Sequence, residues 1–205
     1  MNLSRPTEEL EKLFDKLNET KFNGELDRPM IVIQTFGRGK RHLYGWCTAQ
    51  KIWKEDAEAE GHYEITICAE FLKIPFKEIA TTMLHEMIHL YNLVHQVKDT
   101  SNNNVYHNKK FKKEAEARGL IITKDKTIGW SLSELNPDTE MLIGTFGIDE
   151  SVFSVFRSII TRMSKKAPKM YTFTCGVCDE KVKSINPDLI AFCANEHDQE
   201  LFVRK

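Results

Sequence analysis

The 205-residue sequence has no apolar run approaching the roughly 20 residues that a helix needs to cross a bilayer, which argues against a membrane partner. Its opening stretch, Met1 to Leu10, lacks the apolar core of a secretory signal, so a cytoplasmic location is the expectation. It shows neither an internal repeat nor a low-complexity tract, which sets aside solenoids and collagen-like or polar-tract chains. Cysteine is sparse. The five residues at Cys47, Cys68, Cys175, Cys178 and Cys193 are odd in number and suit a reducing compartment better than a disulfide framework. What remains is ordinary for a folding globular chain, with 41% hydrophobic, 29% charged and 10% aromatic residues.

The net charge of -1 conceals an asymmetry. Residues 1 to 150 carry 20 basic and 24 acidic side chains, and residues 151 to 205 carry 9 and 6. The tail is mildly basic. That admits a nucleic-acid partner without requiring one, because an ordinary solvated face has the same composition.

Periodicity predicts a first helix after Pro6, with Leu10, Leu13, Phe14 and Leu17 on one face. Strand-like segments follow at Met30 to Phe36, His42 to Cys47 and Tyr63 to Cys68, separated by glycine-rich and charged loops. A long helix is predicted from Pro75 to about Val97, carrying Ile79, Met83, Met87, Leu90 and Val94, and a shorter one from Asn108 to Arg118 that stops at Gly119. Leu120 to Ile122 and Thr127 to Trp130 suggest a hairpin. Asn136 to Gly147 gives no readable pattern, whereas Val152 to Met163 carries a helical stripe at Val152, Val155, Phe156 and Ile159. Ser164 to Met170, with its lysines and Pro168, reads as a linker.

Chemistry concentrates in the long helix. His85-Glu86-Met87-Ile88-His89 sets two imidazoles four positions apart, about 40° around the axis and about 6 Å along it, a spacing that can grip one zinc ion. Glu86 lies about 100° round from His85, placed to act on a metal-activated water as general base and not to ligate. A catalytic zinc site keeps three protein ligands and an open position, so a third ligand is required. Two histidines compete. His95 follows His89 by six residues, but Asn92 stands where the corresponding turn has glycine, and Leu93 and Val94 read as continuing helix. His107 opens the next helix after a connection long enough to reverse the chain, and helix continuity favours it.

Together these residues, with His107-Asn108-Lys109-Lys110-Phe111, a first helix from Pro6 and the Gly45-Trp46 pair, resemble the SprT-like family over roughly residues 6 to 130. In that family the third zinc histidine is followed by a small residue, usually glycine where this chain has Asn108, and then by a phenylalanine, here Phe111. The resemblance implies zinc ligation by His85, His89 and His107, with Glu86 as catalytic base. It also implies a tail that is often a zinc ribbon, and an association with proteins bound or crosslinked to DNA.

In the tail, Cys175-Gly176-Val177-Cys178 forms a Cys-x-x-Cys knuckle, and Cys193 with His197 follows after Asn186-Pro187. The spacing predicts a structural Cys3His zinc site, although three residues separate Cys193 from His197 where ribbons usually close with two. A redox pair lacks the strand-helix context after the knuckle, and a ribbon that folds by its apolar residues without metal is the other alternative. Lys165, Lys166, Lys169, Lys181 and Lys183 are candidate phosphate contacts. Elsewhere Cys47 and Cys68 are expected to be buried apolar residues, and Trp46, Trp53 and Tyr63 are candidates to line a cleft.

The expectation is therefore an α+β chain. A zincin-like metallopeptidase domain at residues 1–164, with a small, mostly antiparallel sheet beside the helix of the His-Glu-x-x-His segment, precedes a zinc-ribbon-like module at 165–205. The expected activity is zinc-dependent hydrolysis of protein substrates, including DNA-associated ones, with one catalytic zinc and a second structural zinc. The alternative is a nucleic-acid-binding adaptor that keeps its zinc sites for structure. Glu86 favours the enzyme, since a structural site has no use for a base.

Overall fold

The computed structural model describes residues 3–35, 43–158, 167–195 and 200–204. It divides into two compact units, Met1–Ile159 and Ile160–Lys205. Mixed α and β structure runs through it, with four helices and three small sheets among the described residues. No helix among those residues is long and apolar enough to cross a membrane.

In the first unit, α1 (Ser4–Lys21) buries the expected face, with Leu10, Leu13, Phe14 and Leu17 fully enclosed. The segments β1 (Met30–Gln34), β2 (Gly45–Cys47) and β3 (Glu64–Cys68) form one sheet in the order β1-β3-β2. Its central strand pairs parallel with β1 and antiparallel with β2, so this sheet is mixed where a mostly antiparallel one is expected from sequence. The parallel pair goes with burial of β3 along its whole length, as in sheets covered on both faces. The polar groups it takes inside are satisfied: Glu64 accepts from Trp53 Nε1 at 2.7 Å and from Thr66 Oγ1 at 2.6 Å. That bond places the Trp53 indole outside the cleft described below.

The long helix α2 (Phe76–Val94) is the centre of the unit. Ile79, Met83, Leu84, Met87, Ile88 and Leu90 are all enclosed, each worth about 1.5–3 kcal/mol of apolar burial. A stripe at Glu78, Thr82, His85 and His89, one turn apart each time, stays open to the cleft described below. The helix ends three residues earlier than its sequence pattern suggests. Gln96 adopts φ 56° and the Val97 N–H returns to Asn92 O at 2.7 Å, which closes the last turn.

Beyond it, β4 (Thr100–Ser101) and β5 (Tyr106–His107) lead into α3 (Lys109–Ala117). The hairpin of β6 (Leu120–Asp125) and β7 (Gly129–Leu135) forms as expected and extends further, giving a second sheet in the order β4-β5-β7-β6. Gly129, at φ 76°, pairs in parallel with His107, where an added Cβ would stand 2.3 Å from His107 O. The unreadable stretch contains α4 (Pro137–Gly144), whose start signals are conventional: Asn136 caps Thr139 N at 2.8 Å and Pro137 opens the helix. The helix expected over Val152 to Met163 does not form in its described part. A short 3-10 turn at Glu150–Ser154 buries Phe153, and residues 155–158 have no regular structure. The remainder of that stretch lies outside the described residues.

The second unit is an antiparallel sheet of β8 (Tyr171–Cys175), β9 (Lys181–Ser184) and β10 (Phe202–Arg204), in the order β10-β8-β9. A bridge between Phe192 and Leu201 extends it.

Candidate metal centre

His85 and His89 project from the open stripe of α2, and β5 delivers His107 opposite them. The three Nε2 atoms form a triangle of 3.2, 3.2 and 3.0 Å. Each ring turns its other nitrogen to an oxygen. His89 Nδ1 donates to Asp99 Oδ2 at 2.7 Å, and His107 Nδ1 to Ile128 O at 3.2 Å. His85 Nδ1 lies 2.8 Å from Ser133 Oγ, whose own proton goes to Ser131 O at 3.2 Å, so the serine accepts from the ring. All three inward nitrogens therefore present lone pairs to one point. Three facing acceptors repel unless a cation lies between them, and tetrahedral bonds of about 2.0–2.1 Å to zinc need ligand nitrogens about 3.3 Å apart. The donor set fits zinc.

Protonation agrees. Burial, with His89 and His107 adding to it, pushes His85 well below the ordinary histidine value, and burial followed by the charge of His89 takes His107 down to about 4. Both are neutral imidazoles at neutral pH. At His89 burial acts the same way but the hydrogen bond to Asp99 and the Glu86 charge outweigh it, and the value is raised. Beneath the histidines lies Phe111, fully buried, its ring centroid 4.6, 4.6 and 4.8 Å from those of His85, His89 and His107. It is the floor on which the imidazoles rest.

Glu86 is almost completely enclosed and borders the same cleft. Burial pushes its carboxyl up to about 7, while the nearby His89 and a hydrogen bond from the Cys47 backbone N–H work in the opposite direction. Strand β2 reaches this position because Gly45 has no side chain: a Cβ there would lie 2.6 Å from Thr66 O and 2.9 Å from Thr82 Cγ2. The cleft, about 1070 Å³, opens between β2 and β7 above the three histidines, with Trp46 and Cys47 in its wall. Cys47 is thus half-buried at the cleft and not a closed core residue, whereas Cys68 is fully buried. Trp53 and Tyr63 do not line it.

His95 is excluded from the cluster. It caps the end of α2, lies 4.1 Å centroid to centroid from Tyr91 and pairs with Glu25 at 3.5 Å. Sequence reasoning missed Asp99 and Ser133, which hold His89 and His85 from behind, and Asn92, which holds Asp99. Asp99, ten residues after His89 in a polar turn, had a signal in its type and position. Ser133 had none, because only the pairing of β7 in the second sheet brings it to His85.

In the second unit the Sγ atoms of Cys175, Cys178 and Cys193 lie within 4.8 Å of one another, with Cys178 and Cys193 3.5 Å apart. The Val177 N–H donates to Cys175 Sγ at 3.4 Å, and Asn195 Nδ2 to Cys178 Sγ at 3.3 Å. The backbone N–H of Glu180 leads the contacts that hold the Cys178 thiol below its ordinary range. Three sulfurs so gathered are compatible with zinc. His197, the expected fourth ligand, lies outside the described residues, as do Lys165 and Lys166.

A protein-family model described as the SprT-like family matches residues 10–124, a region that holds all three histidines and Glu86. No curated protein and no solved structure matches the chain. The chain belongs to the SprT-like family, and its first unit is a metallopeptidase-like domain.

Proposed function

We propose that this SprT-like chain is a zinc-dependent metallopeptidase of zincin-like fold that hydrolyses peptide bonds in protein substrates, with His85, His89 and His107 holding the metal and Glu86 as general base. The observation that carries the reading is the convergence of three Nε2 lone pairs beside an enclosed carboxylate at the floor of an open cleft. Bound there, zinc supplies Lewis acidity toward a carbonyl oxygen and acidifies water. Glu86 then takes a proton at its carboxylate and returns it to the leaving amine. A carboxyl poised near neutrality is suited to both halves of that cycle. Strand β2 is an edge of its sheet along the cleft, so an extended peptide has backbone groups to pair with beside Glu86. By family resemblance the substrate class is DNA-associated protein. The exposed Lys181 and Lys183, which flank Val182 on β9, are proposed phosphate contacts of the tail. In the tail a second, structural zinc is proposed on Cys175, Cys178, Cys193 and His197, in a ribbon-like module.

The test is Glu86→Gln, which keeps shape and removes the base. Zinc content and folding should survive while cleavage of an unfolded or DNA-bound protein, assayed with and without single-stranded DNA, drops ~10²–10⁴-fold. Equal rates for wild type and variant in every condition would defeat the peptidase reading. If neither cleaves while both bind DNA, the adaptor takes its place.

A further inference from the structure

Asn108 follows His107 directly and makes five hydrogen bonds, one of them its backbone O accepting from Lys112 N at 3.3 Å. Its backbone N–H donates to Asp99 O at 2.9 Å, and its Nδ2 donates to Lys98 O at 3.0 Å. Its Oδ1 accepts from Lys110 N at 2.7 Å and from Phe111 N at 3.4 Å, capping α3. The backbone is extended, at φ -94°, so nothing in its conformation calls for glycine. Of the five bonds a glycine would keep only the two made by the backbone.

Both ends of this clamp reach the metal centre. On one side is Asp99, buried, whose Oδ2 accepts from His89 Nδ1 at 2.7 Å and from the enclosed Asn92 Nδ2 at 3.0 Å. On the other is the first turn of α3, which carries Phe111 under the three imidazoles. That turn needs its cap more than most. Lys109, Lys110, Lys112 and Lys113 crowd the N-terminal half of a nine-residue helix with no acidic residue in its first turn, charges of the wrong sign for the helix dipole.

Resting on the assignment of the three histidines as metal ligands, we propose that Asn108 is a positioning residue that couples the third ligand, His107, to Asp99, the carboxylate that orients the second. It fixes the spacing of His89 and His107 before metal arrives, and slows metal loss afterwards. The capping and clamping roles separate chemically. An aspartate in place of Asn108 would cap equally well, keeping both acceptor bonds, but it has no N–H for Lys98 O and would turn a carboxylate oxygen toward that carbonyl. A residue that only caps tolerates Asn108→Asp; a clamp does not.

The experiment compares full-length wild type, Asn108→Asp, Asn108→Gly and His107→Ala. It follows zinc transfer to a chromogenic chelator and the visible d–d spectrum after cobalt substitution, with thermal unfolding of metal-free protein as control. The phase lost in His107→Ala is that of the histidine site. In Asn108→Asp that phase should be about 10-fold faster or more, in the range seen when partners of metal ligands are removed, with an altered cobalt spectrum and unchanged metal-free unfolding. Asn108→Gly should release metal at least as fast and also unfold at lower temperature. A wild-type release rate and cobalt spectrum in Asn108→Asp overturns the proposal, whatever glycine does. If wild type shows no phase that His107→Ala removes, the histidine-site assignment fails and the coupling falls with it.

Discussion

The two ligand clusters of this chain differ in everything except their ability to gather three donors around a point. In the first unit the donors are imidazoles brought from two elements far apart in sequence, each fixed from behind by an oxygen, and they face a cleft of about 1070 Å³ beside an enclosed carboxylate. In the second unit the donors are sulfurs from the end of β8, the turn after it and Cys193, steadied by backbone and amide N–H groups. The first arrangement commits its buried polar groups to orientation and leaves an approach open. The difference teaches that the ligand count says little about chemistry, and that what stands behind and beside the ligands says much.

The sharpest way to break the comparison is to remove one ligand of the first cluster. His107→Ala should lose the metal of the histidine site and abolish cleavage, while His95→Ala, altering only the contacts with Tyr91 and Glu25, keeps both. Metal analysis and a cleavage assay on the two variants decide it, and the reverse pattern would refute the ligand assignment.

Next in size is the loss of the other site. Cys175→Ala should lower zinc from about two per chain to about one and leave hydrolysis of a short peptide untouched, because a structural site contributes fold and no chemistry. Zinc of about one in both proteins would remove the second site, and a matching fall in peptide hydrolysis would erase the distinction between clusters.

The groups behind the ligands sharpen it further. Asp99→Ala should weaken zinc at the histidine site about 10–100-fold in chelator competition, whereas Asn195→Ala, which removes one exposed amide from Cys178 Sγ, should change the cysteine site far less. Equal effects would mean that orientation matters no more in one cluster than in the other.

The smallest expected change is in stability. Gly45→Ala forces β2 away from Thr66 and Thr82, at a cost of about 1–3 kcal/mol in denaturant unfolding. Because the Cys47 N–H then leaves Glu86, cleavage should fall more than zinc binding does. An activity loss no larger than the loss of zinc would show that β2 serves only the fold.

The sequence by itself determined the elements whose signals are local. The face of α1, the apolar face of α2 as far as Leu90, the histidine pair with Glu86 and the knuckle at Cys175 and Cys178 all follow from side-chain periodicity or ligand spacing, which the backbone must obey. Asn136-Pro137 announced α4 just as plainly, although the weak periodicity around it hid the signal. His107 was legible through helix continuity and family resemblance, and the left-handed Gln96 shows why His95 fails: the helix ends on it and turns it toward Glu25.

Tertiary structure alone decided the rest. The parallel pairing of β1 with β3, the meeting of Ser133 with His85, the return of the Asp99 loop to His89 and the placing of Phe111 beneath all three rings join residues between 4 and 48 positions apart. Such contacts leave no periodic trace, because each depends on how separate elements pack and not on the conformation of any one of them. The sequence could name the clustered histidines and cysteines. Only packing could choose the atoms that aim them.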